Sequence, residues 1–143
     1  MGLVSFAAAL AAAGIWLGHA AEKELKVDVS KLPPAAKQKV DFAKDIHPVL
    51  KKACQDCHGP DGGSGNFKVD TRENILKGGE HGAAVVPGAS EKSPLIHYVA
   101  KLVKDMEMPP KDAGDPLTKE QIGLLRAWID QLPKPNEAAA DKK

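Results

Sequence analysis

The residues whose types and spacing could do chemistry are gathered in Cys54-Gln55-Asp56-Cys57-His58. Thiols three positions apart can pair as a disulfide, cycle as a redox dithiol, or hold half of a zinc site. Zinc wants four ligands in a tetrahedron, yet the chain has 2 Cys in all. A histidine bonded directly to Cys57 is also poorly placed to share its metal. A thioredoxin-like dithiol belongs at a strand-to-helix junction, and the sequence shows no β-α-β pattern. The histidine immediately after the second cysteine favours another chemistry, in which each thiol adds to a vinyl group of one haem and the imidazole falls beneath the iron. In that reading Cys54 and Cys57 are thioether attachments and His58 is the proximal ligand. A disulfide or thiol-redox pair is the alternative.

The iron then needs a ligand on its distal side. Met106-Glu107-Met108-Pro109-Pro110 is the segment suited to present one, because two prolines hold an extended, non-helical chain and push the residue before them toward the same conformation. Met108, next to Pro109, is the expected distal ligand, with Met106 or His81 as alternatives and Met108 then a core methionine. His47 and His97 both fall off the apolar stripes of their helices, which makes them poor internal ligands.

The elements that must position these groups are helices. Phe42, Ile46, Val49, Leu50 and Ala53 recur at helical spacing and lead into the cysteine motif, with Asp45 expected to cap the helix so that Pro48 lies in its first turn. The glycine-rich loop Gly59 to Gly65 can lie against a haem edge for lack of side-chain bulk, and lacks the Gly-Lys-Ser/Thr of a phosphate-binding loop. Asp70 and Glu73 suggest a capping box for a short helix, Thr71 to Lys77, stopped by Gly78-Gly79. Ser93 and Pro94 open a third helix, whose buried stripe is expected to be Leu95, Ile96, Val99, Leu102 and Val103. Thr118 and Gln121 form the capping box of a last helix running to about Leu132, with Ile122, Leu125, Ile129 and Leu132 on one face and Trp128 at its margin. That face is expected to pack on the first helix. The fold class is therefore all-α: a compact helical domain wrapped around one covalently attached haem.

Composition fits that core. Beyond the first 20 residues the aromatics are Phe42, Phe67, Tyr98 and Trp128 only, so a large apolar macrocycle would fill a gap that side chains leave. Residues 1–20 are apolar and alanine-rich, with Gly18 and Ala20 where a signal peptidase would cut; they read as an export signal, or as an uncleaved anchor. Export, to the periplasm of a bacterium, agrees with covalent haem attachment outside the cytoplasm. Residues 21–40 read as a charged linker around Pro33-Pro34, with a packed arm as the second choice. The domain is expected over residues 41–133, and residues 134–143 form a polar tail. From Asp41 to Pro133 there are 12 Lys and Arg against 14 Asp and Glu, a balance of −2. No concentrated basic face for nucleic acid is visible, and charge steering would have to come from lysines near the haem edge.

The ordered series Asp45-Ile46-x-Pro48-Val49-Leu50, the cysteine motif, Val69 to Gly82, Val86-Pro87-Gly88, Ser93-Pro94-Leu95-Ile96, Met108-Pro109-Pro110 and Leu124 to Asp130 resembles the planctomycete-type cytochrome c domain. The resemblance covers roughly Phe42 to Leu132. It implies a helical cytochrome c fold with haem c on Cys54 and Cys57, and His58 and Met108 as axial ligands. Such domains are often fused to larger exported proteins.

The expected function is that of an exported single-haem electron carrier, with two protein ligands closing the iron to substrate chemistry, and therefore not an enzyme. Its partners would be redox proteins docking transiently through a lysine-rimmed contact, with membrane contact only if the leader is retained. Two rivals are a ligand-binding or peroxidase-like protein with a labile distal Met108, and an interaction module that uses haem as a folding core. No G-x-S-x-G or H-E-x-x-H pattern occurs.

Overall fold

Asp41 begins the first helix, earlier than the expected Asp45 cap. In the computed structural model, which describes residues 26–135, the Asp41 side chain accepts from Lys44 N at 2.9 Å and the Asp45 side chain accepts from Asp41 N at 2.8 Å. The chain then makes a wide turn over Phe42–Ile46, in which His47 N reaches Phe42 O five residues back. That turn carries it into α1 (His47–His58) past the missing N–H of Pro48 near the helix start. The proline thus selects the wide turn and moves the cap.

Three more helices follow: α2 (Arg72–Lys77), α3 (Pro94–Val99) and α4 (Lys119–Asp130), and there is no β-sheet among the described residues. At α2 the cap is Thr71, whose Oγ1 accepts from Asn74 N at 3.1 Å. Asp70 instead holds the Asn74 side chain at 2.9 Å, so the expected Asp70–Glu73 box is replaced. Ser93 flanks Pro94 as expected, but its hydroxyl serves the preceding turn, accepting from Val86 N at 2.9 Å and donating to Ala89 O at 3.1 Å. The third helix is shorter than its stripe suggested. It ends at Val99, Lys101 has a positive φ of 58°, and of the two later stripe residues Val103 is buried while Leu102 is half-buried. The Thr118–Gln121 capping box is present in both directions.

The core centres on Ile46, Leu50, Ile75, Ile96, Leu125 and Ile129, all 0% exposed. Each such side chain contributes ~1.5–3 kcal/mol by leaving water. α4 packs on α3, on the turn at Ser90–Lys92 and on the Phe42–Ile46 turn, so it meets the entry to the first helix and not chiefly α1 itself. Trp128 is buried, not marginal, with its ring 5.3 Å from Phe42. One polar knot closes this side: Asp130 accepts from Ser90 N at 2.7 Å and Ser90 Oγ at 2.9 Å, and Arg126 Nε donates to the same hydroxyl at 3.1 Å.

The described part of the charged segment before Asp41 is an arm laid along α4, and not a free spacer. Ala36 N donates to Gly123 O, Arg126 Nη1 to Pro33 O, Gln131 Nε2 to Gln38 O and Val40 N to Gln131 Oε1, and Leu32 and Val40 are buried. The arm lies so close that a Cβ on Gly123 would stand 2.8 Å from Pro34 O. Gly123→Ala is therefore expected to lower stability by about 1 kcal/mol. An overpacking cost of ~1–3 kcal/mol outweighs the ~1 kcal/mol that alanine contributes inside a helix. The check is a fall in Tm together with faster tryptic cleavage at Lys37 and Lys39, both exposed in the arm.

The expected leader and most of the polar tail lie outside the described residues. No helix among the described residues is long and apolar enough to cross a membrane.

Candidate haem site

The last turn of α1 carries Cys54, Cys57 and His58, and the loop after it folds back onto them. Val69 N donates to His58 O at 2.9 Å, and His58 Nδ1 lies 3.1 Å from Phe67 O. A carbonyl oxygen only accepts, so Nδ1 bears the proton in this contact and Nε2 is left as the basic nitrogen of the neutral ring. That is how a metal-ligating histidine is oriented by a backbone carbonyl. The Phe67 ring holds the imidazole from the side, edge-on at 5.5 Å between centroids.

His58 and Cys54 line a cavity of about 210 Å³. Further lining comes from the loops after α1 and α2, including Phe67, Val69 and Ala84, and from Leu95, Tyr98 and Val99 on α3. Met106 and Met108 line it as well, and so does His81. All three candidates for the distal position thus reach the space that His58 reaches. They differ in support: Met108 packs against the hydrophobic core and its N donates to Tyr98 O at 3.0 Å, whereas Met106 N closes a local turn onto Val103 O at 3.2 Å. The Met108–Pro109 peptide is cis, and Pro109 is buried. His47 and His97 are absent from the lining, and His97 Nε2 lies 2.7 Å from Glu91 O.

Cys57 stands apart from this group. It is exposed and lines the neighbouring groove with Lys51, Gln55, Asp56 and the loop from Gly59 to Gly63. Burial, with a smaller effect from Cys57, pushes the Cys54 thiol up to about 11. Redox dithiols work through a thiol whose pKa is lowered, so the shift runs against a thioredoxin-like pair. Among the described residues no cluster of three or more His, Cys, Asp and Glu side chains could hold a metal ion.

The donors fit a haem: an imidazole oriented through its far nitrogen, two sulfurs three positions apart on one helix end, and thioethers facing the same apolar space. Nothing in side-chain types announced the Phe67 carbonyl, the Tyr98 carbonyl or the lining from α3. Backbone acceptors have no sequence signature, and Tyr98 reads as one more core-facing aromatic.

Residues 54–112, from the first motif cysteine to Asp112, match the family model for planctomycete cytochrome C, the family that the motifs of this stretch resemble. The match implies covalently bound haem, which Cys54 and Cys57 suit. It does not extend over the arm or α4. No curated protein and no solved structure matches the chain.

Proposed function

We propose that the protein is an exported single-haem electron carrier with His58 and Met108 as axial ligands and Cys54 and Cys57 as thioether attachments. The observation that carries this reading is the shared cavity. It places a carbonyl-oriented His58 and a core-supported Met108 on one apolar space beside Cys54.

Bound there, the haem supplies one-electron exchange at its iron. The chain's own residues set the conditions. His58 keeps one tautomer because Phe67 O holds its Nδ1–H, so little reorganises when the charge of the site changes. A methionine sulfur and an apolar lining favour the reduced state and raise the potential. Two protein ligands leave no open position, which suits a carrier over a catalyst. One C-x-x-C-H motif in the full sequence suits one haem. The alanine-rich residues 1–20 support export to the periplasm, with membrane contact only where they are retained. Transient redox proteins are the partners of such a carrier.

A second reading is favoured by one observation: His81 lines the same cavity. If it ligates, or if Met108 is labile, the protein becomes a binder of small ligands or a peroxidase-like protein. Three variants separate these readings. Met108→Ala is expected to abolish the weak red charge-transfer band of ferric iron bound to thioether sulfur, whereas Met106→Ala and His81→Ala keep it. Loss of the band in Met106→Ala alone moves the ligand to that residue. A wild-type spectrum without the band, changed by His81→Ala, moves it to the histidine. An intact mass showing no attached haem overturns the reading altogether.

A further inference from the structure

The arm before Asp41 is basic. Residues 26–40 hold 4 Lys against 1 Asp, a balance of +3, whereas residues 41–133 balance to −2. Lys26, Lys31, Lys37 and Lys39 are all exposed. The Asp28 carboxylate lies 3.5 Å from Lys31 Nζ, and no carboxylate among the described residues pairs with the other three. Hydrogen bonds to Gly123, Arg126 and Gln131 hold the arm along α4, where a free linker would spread its charges over many conformations. α4 adds no net charge, because Lys119 and Arg126 balance Glu120 and Asp130. One apolar group stands among the lysines. Val29, in the tight turn Val29–Lys31, is 43% exposed, and no other large hydrophobic side chain among the described residues is exposed.

We propose that the arm seats the folded domain on an anionic phospholipid bilayer. Lysines strung along a strap suit a diffuse anionic plane, whereas a compact anion needs donors that converge on it. An acidic protein would also attract the lysines. An apolar side chain set between Lys26 and Lys31, a few positions after the apolar residues 1–20, favours a bilayer, whose headgroup layer accommodates both kinds of group. This contact belongs to the folded domain and does not need residues 1–20 to be retained, so it extends the membrane contact described above. Neither the arm nor α4 lines the haem cavity, so the seated arm covers none of that lining.

The test is partition of the full haem-bearing protein onto vesicles of phosphatidylcholine, alone or with an equal part of phosphatidylglycerol. Insertion of residues 1–20, where they are retained, is apolar and contributes to both, so the readout is the ratio of the two partition constants. A lysine beside an anionic bilayer strengthens binding roughly fivefold. The wild-type ratio is therefore expected to be about tenfold or more at ~10 mM salt and to fall toward one at ~500 mM. Lys37→Glu with Lys39→Glu takes the arm from +3 to −1 and should abolish the preference. Lys37→Gln with Lys39→Gln takes it to +1 and should leave an intermediate ratio. Lys101→Glu with Lys104→Glu makes the larger change of charge in the exposed chain after α3, and should keep the ratio within about twofold of wild type. A second readout needs no variant: on anionic vesicles, tryptic cleavage of the wild type at Lys37 and Lys39 should slow relative to cleavage at Lys101 and Lys104. The proposal is overturned by equal partition onto both vesicles, by a preference that survives Lys37→Glu with Lys39→Glu, by equal loss in the Lys101 and Lys104 pair, or by unprotected Lys37 and Lys39. Capture on immobilised polyglutamate without any vesicle preference assigns the arm to an acidic protein and overturns it too. Failure of the carrier reading shows differently, as protein whose intact mass lacks haem or whose spectrum lacks a six-coordinate iron.

Discussion

Protein produced without haem is expected to lose the fold, with a weak far-UV helical signal and no cooperative thermal transition. An apolar cavity of about 210 Å³ would be left at the centre of the site. At ~24 cal/mol per Å³ of cavity, that void has a cost of up to about 5 kcal/mol, comparable to the entire stability of a small domain. The local elements cannot make up the difference. α2 and α3 have 6 residues each and α1 has 12, lengths at which isolated helices are marginal in water. The four aromatics outside the first 20 residues leave little else to fill the space. Circular dichroism of haem-free and haem-bearing protein at matched concentration makes the comparison. A haem-free sample with a sharp transition near that of the loaded protein would mean that side chains alone close the core, and haem would lose its place as the organising group.

The largest effect of a single substitution is expected at Gly63. A Cβ built there overlaps Cys57 O and falls 2.5 Å from the carbon bearing it. Cβ is fixed by the backbone, so no rotamer change relieves the overlap, and the loop must leave the end of α1. Three supports are at risk with it: Asn66 N to Gly63 O at 3.0 Å, Val69 N to His58 O at 2.9 Å, and the 3.1 Å contact that orients His58 through Phe67 O. Gly63→Ala is thus expected to destabilise by about 3 kcal/mol or more, at or beyond the upper range of ordinary overpacking. The measurable results are a Tm lowered by on the order of 10 °C or more and a reduced yield of haem-bearing protein. Unchanged stability would show that the loop has another route past the helix end, and that the close approach at Cys57 O is not what positions His58.

Local chemistry was legible wherever a residue acts on its sequence neighbours. The spacing of Cys54, Cys57 and His58, the prolines after Met108, the glycines after α2 and the reciprocal cap of Thr118 and Gln121 depend on a few adjacent positions. Errors arose where two local signals competed. Asp45 and Asp41 could each cap the first helix, and the need to accommodate Pro48 decided for Asp41 through a wide turn. Thr71 and Asp70 competed in the same way at α2.

Side-chain identity thus marked out the cysteine-histidine motif, the helical class and the short list of candidate distal ligands, because residue spacing and helical periodicity are properties of residues a few positions apart. Only the tertiary structure decided that the segment before Asp41 straps α4, that Phe67 and Tyr98 lend their carbonyls to His58 and Met108, and that His58, His81, Met106 and Met108 share one cavity. Each of these is a meeting of groups distant in the chain. Packing geometry selects such contacts, and no local pattern of residue types encodes them.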